Sequence, residues 1–249
     1  MSGHSKWSTI KRKKGASDAQ RANIFTKIAR EMSVAVKESG ADPTTNGKLR
    51  DCIAKAKSVN MPGDNIDRCI KKAAGSDNKD SFEEMIYEGY GPCGVAVIVE
   101  ALTDNRNRTA GDLRHFFDKC GGNLGQNGCV SFLFNQRGVV NLENPDGKLD
   151  EEKVMEDGFD AGAQDIDFDG DLVQIFTDIG AVRAVREELE AKGYSIASAQ
   201  VEYLPTIETA IADPELQEKM SKLLDLLEDN DDVQEVWHNW DAPEEPEED

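Results

Sequence analysis

Five cations and a tryptophan crowd the first fourteen residues: Lys6 and Trp7, then Lys11, Arg12, Lys13 and Lys14. Ammonium and guanidinium groups at this density displace condensed counterions from a polyanion. An indole beside them can stack on a base or sugar, or can pin the arm to its own domain. More cations follow at helical spacing. Lys27, Arg30 and Lys37 fall opposite the apolar stripe of one expected helix, and Arg68, Lys71 and Lys72 opposite that of another. Lys6, Trp7, Lys11 to Lys14, Lys27, Arg30, Arg68, Lys71 and Lys72 are therefore the candidate nucleic-acid contacts.

Other patterns imitate chemistry without completing it. DIDFDGD (165–171) begins like a calcium loop, but position twelve, where a bidentate Glu belongs, is Phe176. Asp169-Gly170 suits a two-residue hairpin turn between strands. GGNLGQNG (121–128) has the glycine content of a phosphate cradle but lacks G-K-[ST] and a following helix. Gly121 or Gly122 as a helix C-cap explains it, with backbone N–H groups offered to a phosphate as the lesser option. His4, His115 and His238 lie far apart, and Asp112 with His115 on one helix face fits a surface hydrogen bond as well as a base. Cys52, Cys69, Cys93, Cys120 and Cys129 are odd in number with no C-x-x-C, which disfavours a disulfide framework or a zinc site. The expectation is a protein without catalysis, cofactor, metal or small-molecule substrate.

Charge divides the chain. Residues 1–80 hold 17 Lys/Arg against 9 Asp/Glu, a net of +8, whereas residues 81–249 hold 12 against 40, a net of −28. At physiological salt the Debye length is about 8 Å, so a polyanion touching the first segment feels mainly that segment's field. No apolar run approaches the ~18 residues of a membrane span, and no apolar region follows the N-terminal cations as in a secretory signal. A cytoplasmic protein away from membranes is expected.

Three helices must position the cations. Ser17 and Gln20 have capping-box spacing, and Ile24, Phe25, Ile28, Met32, Ala35 and Val36 follow as an inward stripe ending before Gly40. A second helix spans about 46–59 with Leu49, Ile53 and Ala56 inward. A third carries Ile66, Cys69, Ile70 and Ala73 inward and stops at Gly75, before the linker GSDNKDS. Beyond residue 94 strand patterns alternate with helices. GVAVIVEALTD, a helix through HFFDKCGG and a strand CVSFLF come first; then GVVNLE, a helix at 150–162, AQDIDF, DLVQIFT, a helix at 180–192 and SIASAQVEYL; finally PTIETAI, a helix at 214–228 and VQEVWHNW. The middle series is a complete β-α-β-β-α-β unit. The fold class is α+β: an N-terminal three-helix domain, then two ferredoxin-like βαββαβ domains, one inserted in the other. The division is 1–80 basic and helical, 81–134 with 207–240 ferredoxin-like, 135–206 inserted, and 241–249 an acidic disordered tail.

These stretches also carry a resemblance. MSGHSKWSTIKRKKGASDAQRANIFTKIARE, NMPGDNIDRCIKKAAG, YEGYGPCGVAVIVEALTDNRNRTAGDLRHFF, GGNLGQNGCVSFLF and LLDLLEDNDDVQEVWHN resemble, in order, the blocks of the YebC/PmpR family of probable transcriptional regulators. The resemblance spans nearly the whole chain. It implies a helical first domain, two α/β domains, a cytoplasmic location and no enzymatic activity. Some members are described as DNA-binding regulators of transcription; others, including mitochondrial relatives, as ribosome-associated activators of translation. Asn23 and Gly63 stand where the family often has lysine, which weakens the basic field locally. The leading expectation is a transcriptional regulator that grips DNA through residues 1–80. The alternative is a translation factor that binds ribosomal RNA on the ribosome, and a third reading is an acidic scaffold for basic proteins.

Overall fold

Residues 18–75 and 82–243 are described by a computed structural model. The helical segment comprises α1 (Asp18–Ser39), α2 (Gly47–Ser58) and α3 (Gly63–Gly75). Ile28, Met32, Ala35 and Val36 of α1 are buried as the periodicity requires, with Ile66 and Ala73 of α3. On α2 the buried positions are Leu49, Cys52 and Ala56, so Cys52 takes the inward place expected for Ile53. Asn46 starts α2: its Oδ1 accepts from Leu49 N at 3.0 Å, and its Nδ2 donates to the carbonyls of Ala35 and Gly40 at 2.7 Å each. One buried amide thus caps a helix and ties it to the end of the previous one.

The first sheet is built from β1 (Glu83–Tyr90), β2 (Ala96–Thr103), β3 (Asn123–Leu124) and β9 (Val233–His238), in the order β3-β1-β2-β9. Helices α4 (Arg106–Lys119) and α7 (Pro214–Glu228) supply Leu113, Phe117, Met220, Leu223 and Leu227 to a core with Val97, Val99 and Val233. Burying each such side chain contributes roughly 1.5–3 kcal/mol. Three expectations are corrected here. Strand β1 was not anticipated. CVSFLF is no strand over most of its length: Ser131–Leu133 is a short 3-10 turn, and β4 (Phe134–Glu143) begins only at its last residue. PTIETAI yields only β8 (Thr209–Ala210), which pairs in parallel with β10 (Trp240–Asp241) outside the main sheet. Buried Asn239 fixes that pair, accepting from Ala96 N at 2.7 Å and donating to Ile207 O at 3.0 Å.

The inserted series runs β4, α5 (Glu151–Ala161), β5 (Asp165–Asp169), β6 (Leu172–Thr177), α6 (Val182–Ala191) and β7 (Ile196–Pro205), with sheet order β5-β6-β4-β7. This is the expected split β-α-β layout. Its core joins Val140, Leu142, Val173 and Ile175 to Val154, Val185 and Leu189 of the helices. DIDFDGD is the expected hairpin, one residue displaced: Asp169 pairs with Leu172, so Gly170 and Asp171 form the turn, and Gly170 takes φ +55°. The structure falls into two compact units, one holding Gln136–Leu204 and the other holding the helices up to Ala56, Met61–Asn135 and the chain from Pro205.

Candidate nucleic-acid interface

Helix α3 presents the clearest cationic face. Its inward residues point Arg68, Lys71 and Lys72 outward, and all three are exposed. Positions 68, 71 and 72 are neighbours on a helix surface. Asp64 and Asp67, each four residues before a cation, rim the same shallow depression, so the face is positive but interleaved. Asp64 in the first turn and Lys72 in the last both oppose the helix dipole favourably.

On α1 Lys37 is exposed as expected, but Lys27 and Arg30 are half-buried, which corrects the expectation that they face solvent. Lys27 donates to Glu228 O at the end of α7, and Asn23 Nδ2 donates to Asp229 O at 2.9 Å. Arg30 donates to Asp231 O and, at 2.8 Å, to Asp232 Oδ1, and its guanidinium lies 5.6 Å from the Phe82 ring centre. Its side chain is only 21% exposed. These groups fasten α1 to the sheet unit. Lys6, Trp7, Lys11, Arg12, Lys13 and Lys14 lie outside the described residues, as do Ser17 of the expected capping box, the linker residues 76–81 and tail residues 244–249.

Asp232 is the centre of the fastening. Its side chain is 5% exposed. Oδ2 accepts from Arg108 at 2.7 Å and from the Thr109 hydroxyl at 2.8 Å, while Oδ1 takes Arg30. Burial alone would raise this carboxyl, but the hydrogen bonds from Arg108, Thr109 and Arg30 outweigh it and hold the group below the usual range. A second junction sets Lys55 of α2 between Glu31 at 2.8 Å and Glu235 of β9 at 3.3 Å. Burial opposes that ammonium's charge, but the two carboxylates raise it overall. Glu100, directly across from Glu235, is pushed up to about 7 by burial and by its acidic neighbours. Apart from Arg30, sequence reasoning singled out none of these groups, because Asp232 sits in LEDNDDVQ among other carboxylates and spacing alone does not separate it from Asp229 or Asp231.

The glycine-rich loop is also resolved. Gly121 follows α4 with φ +81°, as a C-capping glycine does. Downstream, Gly128, Val130 and Ser131 direct their N–H groups at the Glu88 carboxylate, at 2.8, 2.7 and 2.9 Å. The cradle therefore holds an anion, but it is the protein's own. Burial would raise Glu88, and these backbone donors lower it overall. His238 Nδ1 accepts from Trp240 N at 3.2 Å, and His115 is exposed beside Phe116. The five cysteines are free thiols, with Cys52 and Cys120 buried.

Residues 5–76 match the TACO1/YebC protein N-terminal domain, and residues 82–240 match the TACO1/YebC second and third domain. The chain belongs to the TACO1/YebC family. Its sequence is 56% identical to a probable transcriptional regulatory protein of Ruminiclostridium cellulolyticum over the full length of both. A protein of the same description from Acetivibrio thermocellus is 54% identical, over 96% of this chain and 99% of the relative. A crystal structure of a conserved hypothetical protein from Aquifex aeolicus superimposes with a TM-score of 0.82 at 44% identity, covering 93% of this chain and 95% of that one. For this TACO1/YebC protein the resemblance read from the sequence and the α+β class both hold. No helix among its described residues is long and apolar enough to cross a membrane.

Proposed function

We propose that this protein is a cytoplasmic, non-enzymatic regulator of transcription that binds DNA through its basic N-terminal segment. The observation that carries the reading is the exposed Arg68, Lys71 and Lys72 face on a segment of net +8, within a chain whose remainder is −28. The names of the relatives support regulation of transcription as the setting. The arm cations Lys6 and Lys11 to Lys14, with Trp7, would extend the face along the phosphates. Lys27 and Arg30 would serve mainly by holding α1 on the sheet unit. The reading keeps 1–80 as a basic helical domain, 81–134 with 207–240 and 135–206 as two α/β domains, and 241–249 as a tail. Phosphate contacts position a protein without specifying sequence, so selectivity would come from base stacking or from DNA shape.

The deciding experiment is crosslinking in cells, followed by sequencing of the bound DNA and RNA. Enrichment of discrete chromosomal sites, lost when Arg68, Lys71 and Lys72 are replaced by alanine, is the expected result. Recovery of ribosomal RNA alone, with co-sedimentation on ribosomes, would replace this reading with the translation factor.

A further inference from the structure

The inserted unit carries an apolar stripe among carboxylates. Residues 136–204 hold 6 Lys/Arg and 17 Asp/Glu, a net of −11. On α5, Met155 and Phe159 are 39% and 52% exposed while Val154 and Gly158 of the same helix are buried. Met155 and Phe159 lie one turn apart on a single face. At 100° per residue, Glu151 and Glu152 flank that face on either side and Glu156 adjoins it. Two cations of this unit are turned away: Lys153 and Lys192 both bond Asp157, at 2.9 Å each, on the opposite side, with Tyr194 donating to the same carboxylate at 2.7 Å. Beyond the helix, Gln164 donates to Asp178 at 2.7 Å, which brings Ile179, 50% exposed, to the C-terminal end of α5.

An apolar stripe bordered by one sign of charge selects its ligand by chemistry. A second copy of the same face is repelled, and so is an anionic membrane surface. A segment with apolar residues on one side and Lys/Arg along its edges satisfies both features. We propose that the Met155–Phe159 face of α5 seats a cationic amphipathic segment of a partner protein. The surface is independent of the Arg68–Lys72 face, so either reading can fail alone.

The probe is a labelled peptide of about 18 residues, leucine and lysine at helical spacing, titrated into the full chain by fluorescence anisotropy. A control peptide has the leucines replaced by serine at equal charge. The leucine peptide should bind the native protein more tightly than its control. Phe159→Ser should weaken it by about tenfold, and Glu151→Gln with Glu152→Gln and Glu156→Gln should weaken it at low salt and flatten its salt dependence. These positions are exposed, and unchanged far-ultraviolet circular dichroism checks that folding is intact. Equal binding of both peptides, or no effect of Phe159→Ser, would overturn the proposal in favour of bulk charge attraction. A large gain in affinity on deleting residues 1–17 would overturn the partner as occupant and assign the face to the chain's own basic arm.

Discussion

Glu100 and Glu235 stand directly opposite each other on adjacent strands, with Lys55 the cation that faces the pair and Glu31 and Glu84 adding negative charge. Burial and these neighbours push Glu100 up to about 7 from an ordinary 4.5. Across that interval the folded protein keeps a proton that the unfolded chain has released, so this residue's effect on stability worsens as pH rises from about 5 to about 7 and then levels off, by at most about 3 kcal/mol. Glu100→Gln should therefore raise the melting temperature by roughly 2–6 °C at pH 8 and leave it nearly unchanged at pH 5. Thermal unfolding at both pH values tests this; an equal shift at each would mean that Glu100 does not titrate in this range. Single residues were unevenly legible in the sequence. Periodicity placed Arg68, Lys71 and Lys72 outward correctly, because no described residue covers that side of α3 enough to bury them. The same rule put Lys27 and Arg30 in solvent and failed, because a helical wheel gives the face but not the neighbour more than two hundred residues away that covers it.

Elements are joined by groups whose value depends on position. Asp232 ties α1, α4 and the α7–β9 turn through Arg30, Arg108 and Thr109. Asp232→Asn removes the buried charge that Arg30 and Arg108 share, leaving Arg108 with Asp104 at 2.9 Å and Arg30 with Asp231 at 3.9 Å, and should cost about 1–3 kcal/mol, read as a lower urea midpoint. Because the folded carboxyl is depressed, its stabilisation is full above the unfolded value of 3.8 and is lost only as pH falls through the lower folded value. The deficit of the variant should thus be constant from pH 8 to about 5; a deficit that vanished at neutral pH would remove the charge from the explanation. Glu88 acts likewise within the first sheet. Glu88→Gln retains only one accepting oxygen for Gly128, Val130 and Ser131, and amide exchange at those three residues should quicken by about tenfold while the α4 core is unaffected. That carboxylate also explains one strand misplaced by pattern. CVSFLF has strand composition, but its early N–H groups are taken by Glu88, some forty residues upstream, and the chain curls into a 3-10 turn. Conversely EEMIYEGY looks too acidic for a strand, yet Gly89 is where β1 needs no side chain, since a Cβ there would lie 2.7 Å from Asn123 O. The inserted β-α-β-β-α-β series was legible because its pattern is punctuated by local signals such as the Asp150 N-cap and Gly162 at φ +106°.

At the scale of the whole chain the question is how many cations a polyanion engages when most of the protein repels it. Each phosphate neutralised on duplex DNA releases condensed counterions and adds about 0.9 to the slope of log affinity against log salt. If Arg68, Lys71 and Lys72 all reach phosphates, replacing them together by alanine should lower that slope by about 2.7 and weaken binding similarly across DNA sequences. Removing residues 1–17 should lower the slope further, by about 0.9 for each arm cation that makes contact, up to about 4.5. The two losses should add, because the slope is proportional to the number of phosphates neutralised. The carboxylates of the remaining residues, at net −28, set a different limit. Below physiological salt their repulsion reaches farther, since the Debye length grows to about 30 Å at 0.01 M. The plot should therefore flatten at low salt instead of staying linear. A straight line down to about 0.01 M, with the alanine variant parallel to the native protein, would show that the bound surface is neither the α3 face nor a basic patch on an acidic body, and the electrostatic reading of the N-terminal segment would fall with it.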